Sequence, residues 1–123
     1  MSRTNLTTNP WPLNIRLLKK ERILEVEFDD GNLFRLTAEY LRIESPSAEV
    51  QGHGSSQKRI IAGCQNVAIQ QIESVGNYAI RIHFDDNHST GIYSWTYLYE
   101  LGCKNNENWT RYLAMIKSLG LSR

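Results

Sequence analysis

Cysteine is scarce. Cys64 and Cys103 are the only two in 123 residues, and no Cys-x-x-Cys occurs. That usage excludes a disulfide framework or a four-cysteine zinc site, and it suits a reducing compartment. Long apolar runs are missing too, since nothing approaches the roughly 20 residues that span a bilayer. The opening Met1-Ser2-Arg3-Thr4-Asn5-Leu6 lacks the apolar core of a secretory signal. A cytoplasmic protein with no membrane partner is expected. Charge excess is absent as well: fourteen basic residues against thirteen acidic leave a net +1. Nucleic-acid binders normally show a basic patch or stripe, so no nucleic-acid partner is expected. Ser45 and Ser47 have no Gly-x-Ser-x-Gly elbow around them. Gly52-His53-Gly54 is too short for a phosphate loop.

What is present reads as an ordinary globular domain, with 41% hydrophobic and 22% charged residues. The length suggests one domain and, by expectation, a monomer. Residues 1–11 form a flexible lead-in ending at Asn9-Pro10-Trp11-Pro12, where Trp11 serves as a packing anchor. The single domain then runs over 12–123. Leu13, Ile15 and Leu17 alternate with polar residues, as do Leu24, Val26 and Phe28, which is a half-buried strand pattern. Lys19-Lys20-Glu21 turns between them, and Asp29-Asp30-Gly31-Asn32 predicts a hairpin into Leu33–Leu36. Thr37 is a helix N-cap for a short helix with Tyr40 and Leu41 inward.

Pro46 forbids a helix through Ser45. The loop 45–59 that follows is long enough to be functional or mobile. Val67–Val75 and Tyr78–Phe84 are strands joined at Gly76-Asn77, with Tyr78, Ile80, Ile82 and Phe84 on one face. Asp85-Asp86-Asn87 turns into a last strand over 89–93. Ser94 caps a helix over Trp95–Leu101, which Gly102 stops in a left-handed conformation. Asn106 caps a second helix with Trp109, Tyr112, Leu113, Ile116 and Leu119 in a stripe, ended by Gly120. Strands first and helices last give an α+β domain. Its antiparallel β-hairpins are expected to form a small mixed sheet, with a short helix after the third strand and two C-terminal helices packed on it.

The histidines are the first candidates for chemistry. His83 lies beside Arg81 on a polar strand face and reads as solvent-facing. His88 either caps its turn or serves a site. His53, between two glycines, is the best single functional side chain, because glycine permits close approach of another group. A metal would need His53, His88, Cys64 and Asp86 to converge, and so needs loops 45–59 and 85–90 to meet. Asp29-Asp30 and Asp85-Asp86 are turn residues. Tyr93, Trp95, Tyr97 and Tyr99 read first as core and second as a stacking surface.

One combination of motifs is distinctive. Leu41-Arg42, Ser45-Pro46-Ser47-Ala48-Glu49-Val50, Val75-Gly76-Asn77-Tyr78, Asp86-Asn87-His88-Ser89-Thr90-Gly91-Ile92-Tyr93-Ser94-Trp95 and Tyr97-Leu98 occur in that order. Together, over roughly residues 12–104, they resemble the gamma-butyrobetaine hydroxylase-like N-terminal domain, once called domain of unknown function 971, in its stand-alone bacterial form. The resemblance implies three settings: the N-terminal domain of 2-oxoglutarate-dependent hydroxylases, an appendage on iron–sulfur carrier P-loop ATPases, and a stand-alone protein. In the hydroxylases it implies a zinc held by Cys-Pro-Cys-x-x-Cys and a later histidine. Here Ser45, Ser47 and Val50 stand at the cysteine positions and His88 at the histidine. Neither hydroxyl replaces a thiolate and valine cannot ligate, so that zinc site is expected to be lost. The hydroxylase chemistry belongs to a separate catalytic domain for which this chain has no room, and no catalytic residue is carried over.

The candidate binding set is Arg42, Ser45, Ser47, Glu49, His53, His88 and Trp95. The leading expectation is a non-catalytic accessory domain that binds a partner protein, linked to iron–sulfur cluster or metal handling. One alternative is a metal-binding protein holding iron or zinc in a reworked site on His53 and His88. The other is an enzyme acting on a small ligand.

Overall fold

The computed structural model describes residues 10–46, 61–89 and 91–123. Two hairpins open the chain as strands β1 (Pro12–Leu18), β2 (Ile23–Phe28) and β3 (Leu33–Thr37), paired antiparallel in that order. The β2–β3 turn works because Gly31 takes φ +91 while the Asp30 carboxylate accepts from Asn32 N and Nδ2, each at 3.0 Å. Alternation sets the register. Leu24 faces Leu17 and Leu36, and Val26 faces Ile15 and Phe34, so one side of the sheet is apolar. On the other side Glu25, though buried, is clamped by Arg16 at 3.2 Å and Arg35 at 3.0 Å.

Thr37 then caps helix α1 (Ala38–Ile43), its hydroxyl accepting from Tyr40 N at 3.1 Å. The helix stops two residues before Ser45-Pro46, as the proline demands. A second antiparallel sheet follows, with β4 (Ile69–Val75), β5 (Ala79–Phe84) and β6 (Ile92–Ser94) in sequence order. Ser94 caps helix α2 (Trp95–Cys103), accepting from Tyr97 N at 3.1 Å. Helix α3 (Asn105–Ser118) comes next, and Gly120 at φ +71 ends the turn after it. Among the described residues no helix is long and apolar enough to cross a membrane.

The α+β class stands, but the expected single mixed sheet is two antiparallel sheets. Each is a complete local meander, and residues 38–68 separate them. Leu24, Val26, Phe28 and Leu36 from the first sheet share one core with Ile80, Ile82, Phe84 and Tyr93 from the second, closed by Leu98 and Leu101 of α2. A smaller cluster of Ile43, Tyr112 and Ile116 lies under α3.

Four local expectations need correction. Tyr78 is not on the core face: it sits in the turn, 56% exposed, and Ala79 is buried instead. Gly102 is not a left-handed stop but lies inside α2 with the Phe34 ring against its Cα. Asn106 does not cap α3, which starts at Asn105 without a side-chain cap. Leu113 and Leu119 are exposed, so the buried stripe narrows to Tyr112 and Ile116.

Tyrosine hydroxyls bind these elements together. Tyr93 Oη donates to Leu41 O, and Tyr97 Oη to Glu44 O at 2.6 Å, which satisfies carbonyls at the C-terminal end of α1. In return Tyr40 Oη, on α1, donates to Leu101 O at 2.7 Å in the last turn of α2. Tyr112 Oη reaches Ile61 O at 2.7 Å. A six-residue helix has almost no stability of its own. These donors and the core beneath hold α1 in place.

Candidate functional site

Three of the candidate residues meet where α1 ends against the turn after β5. Ser45 Oγ lies 2.9 Å from His88 Nε2, with both side chains buried. Beside them Arg42 Nε donates to Asp86 Oδ2 at 2.8 Å, while Asp86 Oδ1 accepts from His88 N at 3.2 Å. Asp86 thus joins the arginine to the histidine backbone, and Asn87 at φ +70 gives the turn its reversal. The His88 carbonyl accepts from Phe84 N at 2.9 Å, and its ring tilts against Phe84 with centroids 6.0 Å apart. Loops 45–59 and 85–90 therefore do meet, as the metal reading required, at least through Ser45 and His88.

Gly91 makes room for this contact. A Cβ there would run into Ser45 Oγ and stand 3.1 Å from Tyr93 Cε1. Burial pushes the Tyr93 phenol well above its ordinary value, with the neighbouring Ser45 hydroxyl partly offsetting that rise. Arg42 contributes one unusual feature: its Nη1 is buried and has no hydrogen-bond partner among the described residues. Leaving such a donor unmet costs about 1–3 kcal/mol.

The zinc that the resemblance implies does not fit the donors present. A serine hydroxyl stands where a thiolate would bind, and it is hydrogen-bonded to the imidazole nitrogen that would be the fourth ligand. Ser47, Glu49, Val50 and His53 lie outside the described residues. Cys64 and Asp86 line a cavity of about 190 Å3 close by, together with Gly63, Asn66, Val67 and Asp85. Burial raises the Cys64 thiol, and Arg42 partly counters it. Among the described residues, no three His, Cys, Asp or Glu side chains are grouped to hold a metal ion. The described geometry is that of a buried polar latch.

Replacing Ser45 by alanine should lower stability by about 1 kcal/mol, the usual net worth of one buried hydrogen bond. A urea midpoint equal to that of the unmodified chain would show that the latch is idle.

Trp95 is not part of this cluster. Its Nε1 donates to Asn77 O at 2.9 Å and its N to Tyr78 O at 3.0 Å, while its ring meets Trp11 edge-on at 6.4 Å. Trp11 is half exposed and Tyr78 slightly more so. Sequence reading missed this second grouping, because it assigned Tyr78 to the core and Trp11 to a packing role. From sequence Asp86 reads as a turn residue, a possible ligand and part of the distinctive motif run, and Gly91 only as part of that run. His83, by contrast, is half-buried on its strand and hydrogen-bonded to Glu73 at 3.1 Å.

Comparison with known proteins agrees with the motif reading. The family model for gamma-butyrobetaine hydroxylase-like, N-terminal domains matches residues 15–99. A protein known from an NMR solution structure is 42% identical, superimposes with a TM-score of 0.81, and is matched over 99% of this chain and 91% of its own. A second NMR structure gives 40% identity and a TM-score of 0.82, over 93% and 90% of the two chains. A crystal structure of a protein with unknown function from Acidithiobacillus ferrooxidans, described as belonging to the domain of unknown function 971 family, is 41% identical with a TM-score of 0.63, over 74% of this chain and 91% of that one. No curated protein matches the chain.

Proposed function

The chain belongs to the gamma-butyrobetaine hydroxylase-like N-terminal domain family, and from that premise we propose that it is a non-catalytic accessory domain that binds a partner protein. The observation that carries this reading is the aromatic surface of Trp11, Trp95 and Tyr78. Trp95 spends both its N–H groups on the 77–78 turn, which fixes its ring before any partner arrives. Trp11 lies against it at 50% exposure, and Tyr78, whose carbonyl accepts from Trp95 N, is 56% exposed. Preorganised tryptophan and tyrosine on a surface are the residue types that dominate binding energy at interfaces. Leu13, two positions after Trp11, is exposed as well.

The non-catalytic part of the reading is supported by the burial of Ser45 and His88, which turn toward each other inside the fold. The class of partner comes from the family setting implied by the motifs, in which such domains accompany iron–sulfur carrier ATPases. A purified carrier ATPase of that type is accordingly the first partner to test.

Calorimetric titration of the carrier with this domain should give saturable binding. Trp11→Ala or Tyr78→Ala should weaken it at least about tenfold, the effect of losing 1.4 kcal/mol from an interface anchor. Both side chains are largely outside the core, so thermal unfolding should shift little. No binding, or binding indifferent to both substitutions, would overturn the proposal.

A further inference from the structure

A cavity of about 340 Å3 opens between the turn before β2, the start of α1 and the inner side of α3, lined in part by Arg22, Tyr40, Gln65 and Asn105. Two of its groups are arranged for one kind of ligand. Glu39 is a carboxylate whose side chain is only 7% exposed. Trp109 forms an aromatic wall beside it. Into this space reaches Arg123, with Nη2 donating to Glu39 Oε1 at 2.9 Å and Nε to Oε2 at 3.2 Å. Its guanidinium carbon lies 5.4 Å from the centroid of the Trp109 ring.

A carboxylate meeting a planar fork through two parallel bonds, with an aromatic ring alongside, selects guanidinium over ammonium. The ammonium is a point charge that cannot make the paired contact. The occupant is held lightly compared with its site. Arg123 rides on Leu121-Ser122-Arg123, which has no regular structure. Two backbone bonds anchor it, Leu121 N to Ile116 O and Gly63 N to Ser122 O. The arginine side chain itself is 41% exposed. Glu39, by contrast, is fixed on α1 and cannot follow. Arg22 also lines the cavity, but the paired bonds on Glu39 are those of Arg123. If Arg123 leaves, another guanidinium can take the same paired bonds.

The geometry points to a guanidinium-binding site on Glu39 and Trp109, filled in cis by Arg123, that takes an arginine side chain of a partner polypeptide in its place. This site is separate from the aromatic surface of Trp11, Trp95 and Tyr78 and does not depend on it.

The test uses N-acetylarginine amide as the probe and the Trp109 indole resonance as the readout. Arg123→Ala should bind it saturably. The unmodified chain should bind at least about tenfold more weakly, because a tethered competitor acts at an effective concentration in the millimolar range. Adding Glu39→Gln should abolish binding, and N-acetyllysine amide should bind several-fold more weakly than the arginine probe. A folded Arg123→Ala protein with no saturable shift at Trp109, or with one that survives Glu39→Gln, overturns the inference. Should Arg123→Ala lose its native spectrum, Arg123→Lys replaces it, keeping a cation in the site without the fork. Tighter probe binding than in the unmodified chain then supports the site, and unchanged binding overturns it.

Discussion

Between pH 10 and 12 the domain should lose a large part of its stability. The cause is the set of tyrosine hydroxyls that donate to backbone carbonyls. Burial pushes Tyr40 from 10.0 up to about 12, partly countered by its bond from Asn108. Burial likewise pushes Tyr112 to about 12 and raises Tyr93 and Tyr97 further. In the unfolded chain each phenol ionises near 10. The folded values are higher, so the stabilisation is fully present below pH 10 and is lost as pH rises through the folded values. Each pH unit in that window costs up to about 1.4 kcal/mol for every tyrosine that stays protonated in the fold. Tyr40 and Tyr93 are both essentially inaccessible, so these two alone approach 3 kcal/mol per unit. Against a total of about 5–15 kcal/mol, two such units remove about 6 kcal/mol, enough to unfold a domain at the lower end of that range. Urea unfolding at pH 9, 10 and 11, with tyrosinate absorbance recorded in parallel, is the measurement. The expected result is a midpoint that holds to pH 10 and then falls steeply, with tyrosinate appearing in step with unfolding. A midpoint that stays flat to pH 11 would mean that these hydroxyls are not the capping donors described.

The same hydroxyls show what sequence can and cannot reveal here. Thr37 and Ser94 were readable as N-caps because a cap bonds to a backbone amide three residues on, and everything needed lies in one short window. The Asp30–Asn32 turn is local for the same reason. Tyr93 capping Leu41 spans fifty-two positions and Tyr97 capping Glu44 spans fifty-three, and no periodicity encodes such a pairing. Reading those tyrosines as core was therefore correct about burial and silent about their polar work. The site divides along the same line. Arg42, Ser45 and His88 were picked out through motif resemblance, and the fold does bring them together. Trp95 was picked out in the same way but belongs to a different surface, because its neighbour Tyr78 obeys the turn and not the strand alternation. Glu39 and Arg123 pair across eighty-four positions, beyond the reach of any local pattern. Order along the chain predicts the two hairpin meanders, whereas no local pattern says whether they join in one sheet.

Gly102 offers the clearest inversion of a sequence rule. Inside an exposed helix, Gly→Ala is normally stabilising by about 1 kcal/mol, because alanine loses less backbone entropy. Here the added Cβ would land on the Phe34 ring, against Cγ, Cδ1 and Cδ2 together. Cγ is the ring atom nearest the backbone, so no swing of a side-chain tip relieves the overlap. Phe34 is also held edge-on between Phe28 at 5.9 Å and Tyr99 at 5.5 Å, on a strand whose register is set by Val26 opposite. Relief requires α2 and β3 to separate, and overpacking of that kind costs about 1–3 kcal/mol. Gly102→Ala should accordingly destabilise the domain by about 1 kcal/mol net of the helix-propensity gain. Phe34→Ala provides the control, since it removes the obstructing ring. In that background Gly102→Ala should become neutral or stabilising, and the reversal of sign between the two backgrounds is what the urea midpoints must show. A stabilising Gly102→Ala in the unmodified chain would mean that α2 stands further from Phe34 than described, with the glycine serving helix flexibility and not close packing.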